Sequence, residues 1–214
     1  MPFTPEMAAA LSGATTGRLE YWRSSRSQEP LLRPATHRPG STVFYSFQDV
    51  VALRTFVRLR SAGISLQDVR RAVQQLRDLG EDRHLSSYKL LPHGTSVVWW
   101  VDEDDATDLT KHPGHKVFAR AIDISKPFTV ERIGRVVDLQ KPAKGISVDP
   151  EIKAGFPVIA GSRVPYDVIA GLARGGMTDK EIRSLYPPVT PRAVLGAREL
   201  DTYVDKFRRD PVAA

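Results

Sequence analysis

The strongest constraint on the fold is a run of helix punctuation in the first 80 residues. Thr4 is a capping residue, Pro5 suits a first helical turn, and Glu6 favours the positive end of the helix dipole. Gly13 follows as a left-handed stop, and Thr15 or Thr16 opens a second helix that runs to about Ser24. Two short helices joined by about three residues around a glycine make a helix-turn-helix shape. In it Met7, Ala10, Leu11, Leu19 and Trp22 face inward, and Leu19 and Trp22, three apart, share a face. The punctuation then recurs. Ser46 with Asp49 opens a helix in which Val50, Leu53, Phe56, Val57 and Arg60 keep helical spacing up to Gly63. Ser65 with Asp68 opens another, whose stripe is Val69, Ala72, Val73 and Leu76 and whose stop is Gly80.

Between the helix pairs, Pro39-Gly40 is a turn signal and "TVFY" is strand-like. The expectation is a hairpin from about Leu32 to Tyr45, a wing with Arg33, His37 and Arg38 at its tip. Residues 84–146 change character. "SSYKLLPHGTSVVWWVDEDD" reads strand, turn, strand; "HKVFARAIDI" reads as a third strand; residues 128–139 fit a short helix or a strand. After residue 146 come short strands broken by Gly and Pro, then three helical signals. These are Tyr166 to Arg174, a Thr178–Glu181 capping box opening a helix to Tyr186, and Thr190-Pro191 opening a third. The expected fold class is α+β, with units at 1–80, 81–145 and 146–214: a winged helix-turn-helix, a small middle antiparallel sheet, and a C-terminal three-helix unit of helix-turn-helix type.

Charge singles out the first unit. Of the net +6, residues 1–80 carry 11 Arg, no Lys and 6 acids, which is +5. The middle unit balances at zero and the last is +1. Arginine's planar fork suits phosphate and guanine, so a basic first segment points to nucleic acid. There is no cysteine, which removes disulfides, thiolate metal sites and thiol catalysis. No signal peptide and no membrane-length apolar run is read, and the expected location is the cytoplasm.

The run "AAALSGATTGRLEYWR", followed by "LLRPATHRPGSTVFYSFQDVVALRTFVRLRSAGISLQDVRRAV", resembles the MerR-type winged helix. The aromatic pair, the proline-flanked wing and the "LRSAGISLQDVR" turn fall in family order. Glu20 stands where the family usually has a basic residue, and sheet-like sequence replaces its long dimerising helix. The resemblance implies major-groove reading by the second helix, with the wing on the phosphates. A second run, "ISVDPEIKAGFPVIAGSRVPYDVIAGLARGGMTDKEIRSLYPPVTPRAVLGA", resembles the domain-of-unknown-function 433 family, which occurs in VapB-type antitoxins that neutralise PIN-domain ribonucleases. The combination resembles a VapB-type antitoxin.

Residue by residue, Thr16, Arg18, Tyr21, Arg23, Arg33, His37 and Arg38 are the expected DNA-binding set. Leu19 and Trp22 pin the helix to the core while Arg18, Tyr21 and Arg23 face outward; Glu20 fits a cytosine amino group or an arginine partner. Trp99 and Trp100 point to opposite faces of a strand, one to the core and the other, Trp100, to an interface. Arg163 either braces the carbonyls of a helix end or meets a partner. Arg208 and Arg209 have the charge to enter an acidic Mg²⁺ site of a toxin. Trp100, Arg163, Arg208 and Arg209 are thus the expected toxin-binding set.

No catalytic constellation, metal site or cofactor is expected. "GFPVIAGSR" lacks the ending of a phosphate loop, the His112/His115 pair lacks a third ligand, and the acidic run at 102–105 reads as a solvated loop. The expected function is that of a non-enzymatic antitoxin that binds double-stranded DNA at its own promoter as a homodimer and neutralises a PIN-domain ribonuclease toxin. The rival is a stand-alone MerR-like regulator whose C-terminal half binds an effector or a protein. A third option, DNA binding by both helical units, is disfavoured by the near-neutral C-terminal charge.

Overall fold

The computed structural model of the 214-residue chain describes residues 2–24, 29–34, 43–102, 105–117 and 123–208. The head consists of α1 (Pro5–Ser12), α2 (Thr16–Arg23), α3 (Phe47–Ser61) and α4 (Leu66–Asp78). Local chemistry sets their ends. Thr4 accepts from the Met7 N–H and Thr15 from the Arg18 N–H, so Thr15 rather than Thr16 caps α2. Ser46 and Asp49 form a reciprocal capping box on α3, and Ser65 caps α4 through the Asp68 N–H. Gly13 ends α1 at φ 79°, in the left-handed region.

The middle segment carries β1 (Lys89–His93), β2 (Ser96–Trp100) and β3 (Ala106–Asp108) in one antiparallel sheet of order β1-β2-β3, with Leu91 opposite Val98 and Trp99 opposite Thr107. The third strand is therefore 106–108, earlier than "HKVFARAIDI" predicts. Of that stretch Lys116 makes a single bridge to Thr107, and residues 118–122 lie outside the described residues. The ambiguity at 128–139 resolves as a hairpin, β4 (Phe128–Val130) with β5 (Gly134–Val136). A short pair, β6 (Ile146–Ser147) with β7 (Val158–Ile159), leads into α5 (Tyr166–Arg174), α6 (Asp179–Leu185) and α7 (Pro191–Arg208), with the Thr178–Glu181 box on α6 as expected.

The expected wing falls largely on residues 35–42, His37 and Arg38 of its tip among them, which lie outside the described residues. Tyr45 in the returning arm pairs with Phe3 rather than with residues near Leu32, exchanging backbone hydrogen bonds of 2.8 and 2.9 Å. Leu31 and Leu32 instead donate their N–H groups to the Trp22 carbonyl at the end of α2.

One continuous apolar core runs from Phe3 to Phe207. α7 lies against α1, and the Tyr203 hydroxyl donates to the Ala10 carbonyl at 3.1 Å. Phe156 sits between Phe3 and Tyr166, with ring centroids 5.6 and 6.0 Å away. Two glycines permit this approach. A Cβ on Gly196 of α7 would overlap the Lys144 carbonyl, and one on Gly155 would overlap the Phe47 ring at the start of α3.

The polar centre of the fold is Arg54 of α3, which is wholly buried. Its Nη1 donates to the Leu11 carbonyl near the end of α1 at 2.5 Å, and its Nε to Ile124 at 2.5 Å. Its Nη2 reaches the carbonyls of Ser125, Lys126 and Val137 at 3.1, 2.8 and 2.8 Å. Among the described residues no carboxylate hydrogen-bonds it. Burial, reinforced by the nearby Arg58 charge, lowers the guanidinium to about 10, which still leaves it protonated at neutral pH.

Two outcomes are expected. Arg54→Met strands several buried carbonyls at roughly 1–3 kcal/mol each, so urea unfolding should show a loss of at least ~3 kcal/mol, with Arg54→Lys between the two because an ammonium cannot reproduce the fork. Gly196→Ala forces α7 away from the Lys144 backbone and should cost about 1–3 kcal/mol in the same assay.

Candidate nucleic-acid interface

α2 is held from one side and open on the other. Leu19 and Trp22 are buried, and Trp22 packs edge-on against Phe56 of α3, 6.0 Å away at 86°. On the opposite side Arg18 and Glu20 are exposed and Tyr21 is 57% exposed. Arg18 and Tyr21, three apart, form one outward face. Thr16 is half-buried in the first turn, beside the free N–H groups of the helix start. The turn before α2 is fixed from behind: a Cβ on Gly13 would collide with the Val136 side chain of β5. The middle hairpin therefore sets the angle between α1 and α2.

Arg23 departs from the outward position expected of it. It is half-buried, lies 4.0 Å from Glu20, and faces the buried Tyr45. Burial pushes the Tyr45 phenol up to about 12, a rise the Arg23 charge partly opposes. The cause is the Phe3–Tyr45 bridge, which brings Tyr45 under the end of α2. Glu20 thus has the arginine partner that was one of its two expected uses.

Basic groups extend beyond α2. Arg33 is exposed and pairs with Glu29 at 3.2 Å. The same Glu29 pairs with Arg77 of α4 at 2.5 Å, and its backbone carbonyl accepts from Arg70 at 2.7 Å. Arg70, Arg71 and Arg77, with Gln67 and Gln74, line one side of a groove of about 550 Å³ whose other side is Glu29 to Leu31. Sequence reasoning missed these three arginines. Their spacing over 67, 70, 71, 74 and 77 is that of one helix face, and that pattern was the available signal.

The other expected set is dispersed. Trp100 is half-buried, not an open anchor, because Lys89 places its ammonium 4.3 Å over the indole ring. Its neighbour Trp99 turns inward, edge-on to Tyr88 at 5.8 Å. Arg163 is exposed and braces no helix carbonyl among the described residues. Arg208 pairs with Asp205 at 2.9 Å, and Arg209 lies outside the described residues. Among the described residues no group of three or more His, Cys, Asp or Glu is placed to hold a metal ion. No described helix is long and apolar enough to cross a membrane.

Comparisons with known proteins agree with this geometry. Residues 3–76 match the family model described as MerR HTH family regulatory protein, and residues 146–199 match that of the protein of unknown function DUF433. Relatives include the "Uncharacterized HTH-type transcriptional regulator" Rv1830 of Mycobacterium tuberculosis and its namesake Mb1861 of Mycobacterium bovis. Each is 34% identical over 115 residues, covering 54% of this chain and 50% of the relative. The chain thus spans about half the length of these curated relatives. The crystal structure of Rv2018 from Mycobacterium tuberculosis superposes with a TM-score of 0.51 at 16% identity, over 92% of this chain and 98% of that one, so the α+β architecture has a counterpart among solved structures. The N-terminal unit is thus similar to MerR-family helix-turn-helix regulators over residues 3–76, and the C-terminal unit to the DUF433 family over residues 146–199.

Proposed function

We propose that the protein is a sequence-specific DNA-binding transcriptional regulator that lays α2 in the major groove of double-stranded DNA. The observation that carries this reading is the split face of α2, with Leu19 and Trp22 locked into the core and Arg18 and Tyr21 free on the outside. Arg18 and Tyr21 reach base edges or flanking phosphates, Thr16 approaches a phosphate at the helix start, and Arg33 follows the backbone. His37 and Arg38 complete the set through the wing. Arg23 acts mainly by holding the end of α2 on Tyr45. The match of this unit to a MerR-type regulator and the names of the relatives support the reading. One head reads a half-site, so the working form is a homodimer on a two-fold operator. Its proposed location is the cytoplasm.

The finer proposal assigns the protein to a toxin–antitoxin pair. In it the C-terminal unit binds a PIN-domain ribonuclease and the head represses the shared promoter. Its support is the resemblance of residues 146–199 to a family found in such antitoxins, together with the exposed Arg163 and Arg208. Co-expression with the product of the adjacent reading frame tests it. Rescue of growth and co-elution are expected; a harmless neighbour that never copurifies leaves the regulator alone.

Fluorescence anisotropy against promoter DNA tests the head. Arg18→Ala should weaken binding and lower the slope of log K against log salt by about one, the signature of one lost phosphate contact. Tyr21→Ala should weaken promoter DNA more than random DNA. Glu29→Gln releases Arg33 and Arg77 from their carboxylate and should strengthen binding to any duplex at low salt. A wild-type slope in Arg18→Ala would place the interface elsewhere.

A further inference from the structure

A second concavity, of about 210 Å³, opens where the end of α3 meets β1 and segment 124–129. Leu90, Leu91, Pro92, Ile124 and Phe128 make its walls apolar, and among the described residues Arg58 is the one charged side chain lining it. Among the described residues no carboxylate lines it. The Arg58 guanidinium lies 4.4 Å over the Phe128 ring, and Arg54 lies 4.9 Å from the same ring. Two cations therefore flank one aromatic, and Arg54 is matched only by carbonyl dipoles.

Arg58 is under-used. Its Nη2 donates to the carbonyls of Asp123 and Lys126 at 3.1 and 3.4 Å. Its Nε is buried with no partner, and its Nη1 makes no hydrogen bond among the described residues. The nearby Asp123 carboxylate accepts the N–H and hydroxyl of Ser125 on its Oδ1, at 2.9 and 2.6 Å, while its Oδ2 lies 3.8 Å from Lys126. Burial holds the Arg58 guanidinium below its usual range, and the nearby Asp123 charge only partly opposes this.

We propose that this cavity binds a small monocarboxylate with an aromatic or branched aliphatic body, its carboxylate paired with Arg58 and its body against Leu90, Leu91 and Phe128. A charged partner for a half-desolvated guanidinium forms the stronger class of hydrogen bond. The apolar walls select against phosphates and dicarboxylates, whose further charges would be left without partners. The size agrees: about seven water volumes at roughly 30 Å³ each is the scale of benzoate or phenylacetate. A ligand there touches α3, β1 and segment 124–129 together. It would strengthen the joint between head and middle sheet by binding only when the three are assembled.

The test uses the full chain without DNA, so its outcome is independent of the regulator reading. Benzoate, phenylacetate and isovalerate are titrated by calorimetry, with benzyl alcohol as the uncharged analogue, and thermal unfolding is followed alongside. The expected result is saturable single-site binding of at least one carboxylate, a raised Tm, and affinity lower by about tenfold or more for benzyl alcohol. Arg58→Gln should remove that preference. Ala62→Phe fills the cavity from an exposed position on its lining without removing any packing, and should abolish binding while the protein stays folded. Absence of saturable heat up to ~10 mM from all three acids overturns the proposal. So does unchanged carboxylate affinity in the Ala62→Phe protein.

Discussion

The buried guanidinium of Arg54 is the interaction on which the arrangement of the other parts depends. It satisfies a carbonyl near the end of α1, three successive carbonyls of 124–126, and one at Val137, just past β5. A helix end left in a core without donors is costly, and here one side chain supplies them from across the fold. Among the described residues no carboxylate hydrogen-bonds this charge, so its solvation comes mainly from backbone dipoles, with the Phe128 ring 4.9 Å away. The dipoles have to be held in place by the packing around them. Cation and carbonyls thus require each other: the loop has no reason to converge without the guanidinium, and the guanidinium could not be buried without the loop.

This explains how a sheet some distance along the chain governs the placement of α2. β5 follows the arginine-held loop, and Val136 of β5 fills the space behind Gly13. The left-handed turn between α1 and α2 is therefore braced by the middle hairpin. The C-terminal unit adds a second brace through Tyr203 and the Phe3–Phe156–Tyr166 rings. The Tyr203 hydroxyl is itself half of a junction, lying 3.1 Å from the Ala10 carbonyl and 3.4 Å from that of Arg135. Three segments meet within one residue's reach of the turn that aims α2.

Features set by neighbours in the chain were legible in the sequence. The capping boxes at Ser46–Asp49 and Thr178–Glu181 and the stop at Gly13 depend on residues within one helical turn, and they appear where they were read. The buried and exposed sides of α2 followed from the spacing of Leu19 and Trp22. What was hidden depended on distant partners. Arg54 reads as one more member of a basic helix, and its burial is decided by carbonyls 43 to 83 residues away. Arg23 turned inward because Tyr45 pairs with Phe3, a contact no local pattern announces. Trp100 is covered by Lys89 across a strand pairing, and the arginines of α4 face a groove whose far wall, Glu29 to Leu31, comes from a segment 41 residues before Arg70.

α1 is enclosed by α2, α3 and α7, and six of its eight residues are buried. A helix with so little solvent face has no independent surface chemistry; it is an interior strut shared by the head and the tail. Cutting the chain near residue 80 would therefore not release a free-standing head. The fragment would carry an alanine-rich stripe, stripped of Tyr203 and Phe156, facing water. Such a fragment would be prone to self-association, and fusions that transplant this head would need to bring the tail, or a substitute apolar helix, with it.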